Sequence, residues 1–193
     1  MTDQVTEPPG RIDYTHPFLP PDDERDPVRR LRGRLAAPVT LWTAQLGDRA
    51  AGLTVSSVLV AEGEPSLLLG LVGEESDLLD ALEQSGRFAV SILGWSQRAV
   101  ADAFAGVRPA PGGPFRGHEW VDTAWGPVLA SATTWAGCRM HTLRPLGYAR
   151  LVEAALEYVV IGTGVDDGID GRPVDEGGGV LVWRRGRYGR LPG

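Results

Sequence analysis

Three runs decide the fold class. The first is Val39-Thr40-Leu41-Trp42-Thr43-Ala44. The second is Ala51-Gly52-Leu53-Thr54-Val55-Ser56-Ser57-Val58-Leu59-Val60, and the third is Ser66-Leu67-Leu68-Leu69-Gly70-Leu71-Val72. All are rich in β-branched or aliphatic residues, and turn chemistry separates them: Leu46-Gly47-Asp48-Arg49, then Glu62-Gly63-Glu64-Pro65. That pattern predicts strands, with residues 51–60 as one strand. The third run is almost wholly aliphatic, as in a central strand covered on both faces.

Working outward, Ser76 and Asp77 predict a helix start, Leu78, Leu79 and Leu82 an apolar stripe, and Gly86 a stop. Residues 88–93 read as a strand. Ser96 is the predicted cap of a second helix, with Val100, Ala101 and Phe104 on one face and Gly106 at its end. A Pro- and Gly-rich loop covers 107–117, and strands are expected at 128–134, 136–143, 157–164 and 180–183. An acidic, glycine-rich loop spans 166–179, and a basic turn follows the last strand. Strands far outnumber helices, and no βαβ alternation supports a doubly wound sheet. The expected class is mainly β, a closed or partly closed antiparallel barrel with peripheral short helices.

Toward the N-terminus, Asp26-Pro27 is a helix cap followed by a first-turn proline. It predicts a short helix over 28–35 carrying Arg29, Arg30, Arg32 and Arg34, either a solvated face or an anion patch. Residues 1–26 are rich in Pro, Asp and Glu. They read as a mobile extension, or as an arm anchored on a partner subunit through Tyr14, Phe18 and Leu19. Residues 27–193 then form one domain.

Composition narrows the function classes. The chain has 193 residues, 42 % of them hydrophobic, enough for a sizeable core. Arginine supplies all 19 positive charges against 25 acidic residues, a net charge of −6. Such a balance argues against sequence-independent nucleic-acid binding, which needs clustered positive charge. No apolar run reaches the ~18 residues of a membrane span. The start lacks a signal-peptide pattern, so a cytoplasmic location is the default expectation. The single cysteine, Cys138, cannot form an internal disulfide and reads as a buried small apolar residue. His16, His118 and His141 have no ligand spacing, so no metal site is expected. Gly162, Gly164 and Gly168 follow an apolar strand, but the residues after them are turn-forming and exclude a dinucleotide loop.

The chemistry centres on 51–58. On one strand Thr54 and Ser56 face one side, Val55 and Ser57 the other. Buried hydroxyls need partners, from neighbouring backbone or from a polar-edged heteroaromatic ligand. A flavin ring suits such a seam, because its edge carries donors and acceptors while its face needs apolar cover. Ser76 begins a helix, and a helix N-terminus is a natural phosphate site or simply a capped end.

The order of these pieces resembles the flavin reductase-like family of FMN-binding split-barrel proteins. The resemblance rests on Gly52-Leu53-Thr54-Val55-Ser56-Ser57, the aliphatic strand after Pro65, the Ser76 helix and Gly86-Arg87-Phe88-Ala89-Val90. Phe104-Ala105-Gly106, Gly126-Pro127-Val128-Leu129, Cys138 and Arg185-Gly186-Arg187-Tyr188 continue it, over roughly residues 28 to 190. It implies a Greek-key split barrel in a homodimer, with one flavin per subunit near the dimer interface. FMN is expected, with FAD as the alternative, and NADH or NADPH delivers hydride to flavin N5. A monooxygenase partner would receive the reduced flavin. The resemblance assigns Thr54, Val55, Ser56 and Ser57 to the isoalloxazine edge. Val72, Gly73 and Ser76 fall to the phosphate, with Arg98 or a helix arginine as its counter-charge. The cofactor carries the chemistry, so no catalytic side chain is expected. Two departures stand out. The family's Gly-Asp-His triplet has no match; its equivalent is Gly147-Tyr148-Ala149 or Ala155-Leu156-Glu157. Glu74 and Glu75 crowd the phosphate loop. The missing triplet keeps a flavin-binding module without NAD(P)H turnover as the alternative.

Overall fold

The computed structural model describes residues 26–162 and 179–191. The predicted extension, apart from Asp26, and nearly all of the acidic loop lie outside them. Helix α1 (Pro27–Arg34) starts as the sequence predicts: the Asp26 carboxylate accepts from the amides of Val28 and Arg29, and Pro27 occupies the first turn. None of its residues is buried.

Strands follow in chain order: β1 (Ala37–Pro38), β2 (Thr40–Leu46), β3 (Arg49–Val55), β4 (Val58–Ala61) and β5 (Leu67–Val72). After α2 (Asp77–Ser85) come β6 (Arg87–Ile92), a single 3₁₀ turn (Trp95–Gln97) and α3 (Arg98–Phe104). The chain continues through β7 (Trp120–Thr123), β8 (Gly126–Leu129), β9 (Trp135–Leu146) and β10 (Ala149–Val160). It closes with β11 (Val180–Arg184) and β12 (Arg187–Leu191).

The principal sheet has seven strands in the order β3-β2-β6-β9-β10-β5-β4, every pairing antiparallel. Its two edge strands, β3 and β4, are consecutive in sequence and joined only by Ser56-Ser57. A two-residue link cannot span a flat sheet of that width, so the sheet must curl until its edges meet. The meeting point is visible: the Leu71 amide donates to the Ser57 carbonyl at 3.2 Å. This corrects the expectation of one strand over 51–60. The run breaks at the two serines because β3 pairs with β2 while β4 pairs with β5.

Two apolar cores result. Inside the curl, Trp42, Phe88, Val72, Val152 and Cys138 pack with Leu78, Leu79 and Leu82 of α2. The Trp42 ring stacks on Phe88 with centroids 4.8 Å apart. Helix α2 begins and ends at its predicted residues, capped by Ser76 and stopped by Gly86 at φ 63°. The second core joins Val39, Leu41, Leu93, Phe104 and Leu181, and ties the small β1-β11-β12 sheet to the large one.

Other expectations shift. Ser96 does not cap a helix; it sits inside the 3₁₀ turn, whose start is held by the Gly94 amide donating to Gln97 Oε1 at 2.8 Å. Strand β10 begins at Ala149, well before the expected 157. Its Ala, Leu and Glu residues favour helix in isolation, and pairing with β5 and β9 overrides that preference. Strand β7 was not expected, and the run predicted at 128–134 is strand only up to Leu129.

Candidate functional site

A concavity lies where the curled sheet closes. A cleft of about 520 Å³ opens between α1, the Ser56-Ser57 corner and the β11–β12 hairpin. Both serines line it, and among the described residues neither side chain makes a hydrogen bond. Its charged lining is entirely arginine: Arg29, Arg30, Arg32, Arg34 and Arg185. Trp183 adds one aromatic wall.

The remaining candidates go elsewhere. The Thr54 hydroxyl donates to the Ala101 carbonyl at 2.7 Å and fastens α3 to β3. Val55 is buried in the interior, and its carbonyl accepts from Thr40 Oγ1 at 2.6 Å. Val72 is fully buried core, so only its backbone can meet a ligand. The row of hydroxyls expected on one strand therefore divides, with Thr54 structural and Ser56 and Ser57 open to the cleft. Gly73 is exposed, with nothing within 4 Å of an added Cβ. Ser76 serves its helix: its hydroxyl donates to the Gly73 carbonyl at 3.0 Å and accepts from the Leu79 amide at 3.4 Å. Glu74, Glu75, Asp77 and Asp80 are exposed around that helix start. Each carboxylate near a phosphate there opposes it by about 1 kcal/mol in water. Arg98 is not part of the cleft lining. Its guanidinium lies 3.8 Å from the Trp95 ring centroid, and its buried Nη1 has no hydrogen-bond partner among the described residues.

The two stand-ins for the missing triplet differ. Gly147-Tyr148-Ala149 spans the β9–β10 turn, with Tyr148 fully exposed. Ala155-Leu156-Glu157 runs into a β-bulge, where the register shifts between Leu156 and Tyr158. The bulge brings Glu157 and Tyr158 into one surface cluster. Glu157 accepts from Trp125 Nε1 at 2.9 Å and Arg139 Nε at 2.6 Å, and pairs with Arg87 at 3.4 Å. Tyr158 stacks on Trp125 with centroids 5.3 Å apart. The Trp125 hydrogen bond, then that from Arg139, hold the Glu157 carboxyl below its ordinary range, and the Arg87 charge acts in the same direction. Burial, with a smaller push from Glu157, drives the Cys138 thiol up to about 12.

Trp183 and Arg185 were not singled out for the site by their sequence positions. The one signal was the basic turn around Arg184-Arg185-Gly186-Arg187, over a hundred residues from the serines it faces. Among the described residues no group of His, Cys, Asp and Glu is placed to hold a metal ion. No helix among them is long and apolar enough to cross a membrane.

Comparison with known proteins places this architecture. The model of the flavin reductase like domain matches residues 32–192. The reductase component of 4-hydroxyphenylacetate 3-monooxygenase from Thermus thermophilus is 32 % identical over 167 residues, covering 86 % of this chain and 97 % of that protein. An NADH:riboflavin 5'-phosphate oxidoreductase from Streptomyces pristinaespiralis is 31 % identical over 179 residues, 91 % of each chain. The solved structure of the flavin reductase PheA2 in its native state superposes with a TM-score of 0.72 at 22 % identity, covering 86 % of this chain and 97 % of that one, a likeness of fold. With a matching domain over most of its length and relatives aligned nearly end to end, the chain belongs to the flavin reductase-like family.

Proposed function

We propose that the protein is an NAD(P)H:flavin oxidoreductase that reduces FMN, with FAD as the other flavin, and hands reduced flavin to a monooxygenase partner. The observation that carries the reading is the Ser56-Ser57 corner: two hydroxyls with no hydrogen-bond partner among the described residues, at the seam of the curled sheet and on the rim of an arginine-lined cleft. Flavin reduction transfers hydride from the nicotinamide to flavin N5. The chain's contribution is placement and potential. Ser56 and Ser57 would hold the polar edge of the ring. The cleft arginines would supply hydrogen-bond donors and positive potential to the phosphate-bearing part of the ligand. Gly73, directly after β5, has open space where a Cβ would stand and would leave room for the ribityl phosphate arm. Thr54, Val55 and Val72 support the corner from behind through the Ala101 bond and the core. The relatives named above, a monooxygenase reductase component and a flavin mononucleotide reductase, support the same reading.

The working form in this proposal is a homodimeric split barrel in the cytoplasm, with residues 27–193 as the flavin reductase domain and 1–26 as an extension. Exposed Leu59 and Val60 on edge strand β4, 71 % and 61 % accessible, support a second subunit there. The test is titration of riboflavin and FMN by flavin fluorescence, followed by NADH and NADPH oxidation with excess FMN. Absence of saturable quenching at micromolar flavin would end the proposal. A second reading, flavin binding without turnover, has one observation in its favour: Glu157, in the candidate triplet, is already tied to Arg87, Arg139 and Trp125. Saturable flavin binding with NAD(P)H consumed no faster than without protein would select it.

A further inference from the structure

The cleft is larger and more basic than a flavin ring's edge requires. Five arginines line it, although the whole chain carries a net charge of −6. None of the five has an ion-pair partner among the described residues, whereas Arg87, Arg108 and Arg139 each do. Arg29 and Arg32, one turn apart on α1, share a helix face.

Arg185 makes the opposite wall a built one. It is the only non-glycine residue with positive φ among the described residues, at 53°. A left-handed backbone is unfavourable for a side chain with a Cβ, and glycine or asparagine is the unstrained choice. An arginine at this turn thus trades backbone strain for a guanidinium on the cleft. Its amide also donates to the Gly33 carbonyl at 2.7 Å, locking the hairpin to α1 and fixing the distance between the two basic walls. Trp183, on the same hairpin, offers a flat apolar surface beside them and meets Tyr188 edge-on with centroids 5.0 Å apart.

A ligand matching this surface has a planar aromatic end, several closely spaced negative charges, and a second planar end reaching the serine corner. We propose that the cleft between α1 and the β11–β12 hairpin binds the adenosine diphosphate half of a dinucleotide substrate. The adenine lies against Trp183, and the diphosphate is held by Arg29, Arg32 and Arg185. FAD and NAD(P)H both carry this group. The assignment rests on the flavin reductase reading and moves the principal anion site from the acidic Gly73–Ser76 loop to the arginine cleft.

The experiment is calorimetric titration of the full chain with ADP, riboflavin, FAD and NADPH, at low and moderate salt. It is repeated with Arg29→Gln/Arg32→Gln and with Arg29→Lys/Arg32→Lys. Because α1 buries no side chain, both variants are expected to fold. ADP binds the wild type, and its affinity falls with salt. The glutamine variant loses about tenfold or more in ADP affinity and the lysine variant recovers part of it, while riboflavin changes by less than about twofold. A parallel loss for FAD alone assigns the cleft to the flavin, and for NADPH alone to the nicotinamide substrate. Either result supports the proposal. No ADP binding at millimolar concentration with riboflavin binding intact overturns it, as does a glutamine variant that binds all four ligands like the wild type. ADP binding without riboflavin binding keeps the nucleotide site and removes the flavin reading.

Discussion

Replacing Gly70 by alanine tests how the curled sheet closes. Gly70 lies in β5, and the tip of the Trp42 indole reaches it from β2, four places away in the strand order. A Cβ at Gly70 would lie 2.5 Å from Trp42 Cη2, 2.6 Å from Cζ2 and 3.2 Å from the Ser57 carbonyl oxygen. The ring has no easy escape. It is wholly buried, stacked on Phe88, and its Nε1 donates to Thr40 Oγ1 at 3.0 Å. Overpacking of this kind destabilises by about 1–3 kcal/mol. For a chain of this size that corresponds to a fall in Tm of about 2–12 °C. With a urea m-value of about 2 kcal/mol/M, the unfolding midpoint drops by about 0.5–1.5 M. Because the nearest non-indole neighbour is the Ser57 carbonyl, riboflavin affinity should weaken together with stability. Gly73→Ala is the control, since its added methyl meets nothing. A Gly70→Ala midpoint indistinguishable from that of Gly73→Ala would refute Trp42 as the rigid filling that joins the two walls.

Removing both corner hydroxyls, Ser56→Ala/Ser57→Ala, should leave the unfolding midpoint unchanged, because neither makes a hydrogen bond among the described residues. Flavin affinity should fall by about 0.5–1.5 kcal/mol per lost hydrogen bond, read by fluorescence titration. Thr54→Val should do the reverse: it removes the bond to Ala101, destabilises by about 1 kcal/mol, and leaves riboflavin affinity near wild type. Glu157 predicts a pH dependence. Its folded-state carboxyl is held below the unfolded value, so its stabilisation is present above that value, about 4.3, and is lost as pH falls through the folded one. The stability gap between wild type and Glu157→Gln, measured in urea, should therefore be wider at pH 7 than at pH 3. An equal gap at both pH values would contradict the network. Cys138 should resist thiol reagents at pH 8 in the native protein and react promptly once unfolded. With its pKa pushed up to about 12, the thiolate fraction is about 10³-fold below that of a free cysteine, before burial slows access further.

The sequence by itself determined the local elements. Asp26-Pro27 set the start of α1, and Ser76 and Gly86 set both ends of α2, because caps act through hydrogen bonds and φ preferences only a few residues long. It also determined the family, since the order of Gly52–Ser57, the Ser76 helix and the later glycine and arginine pieces survives as a linear pattern. Tertiary structure alone decided where the hydroxyl row would be cut. Residues 51–60 read as one strand in isolation, and the break at Ser56-Ser57 comes where the flanking segments pair with different neighbours. It decided that Ala149–Val160 is a strand against its own helix preference. It decided, too, that the α1 arginines face a cleft, because the opposing wall of Trp183 and Arg185 comes from the far end of the chain. Short-range backbone chemistry is encoded residue by residue, whereas a site made where two sheet edges and a distant hairpin converge depends on pairings between segments that no local pattern specifies.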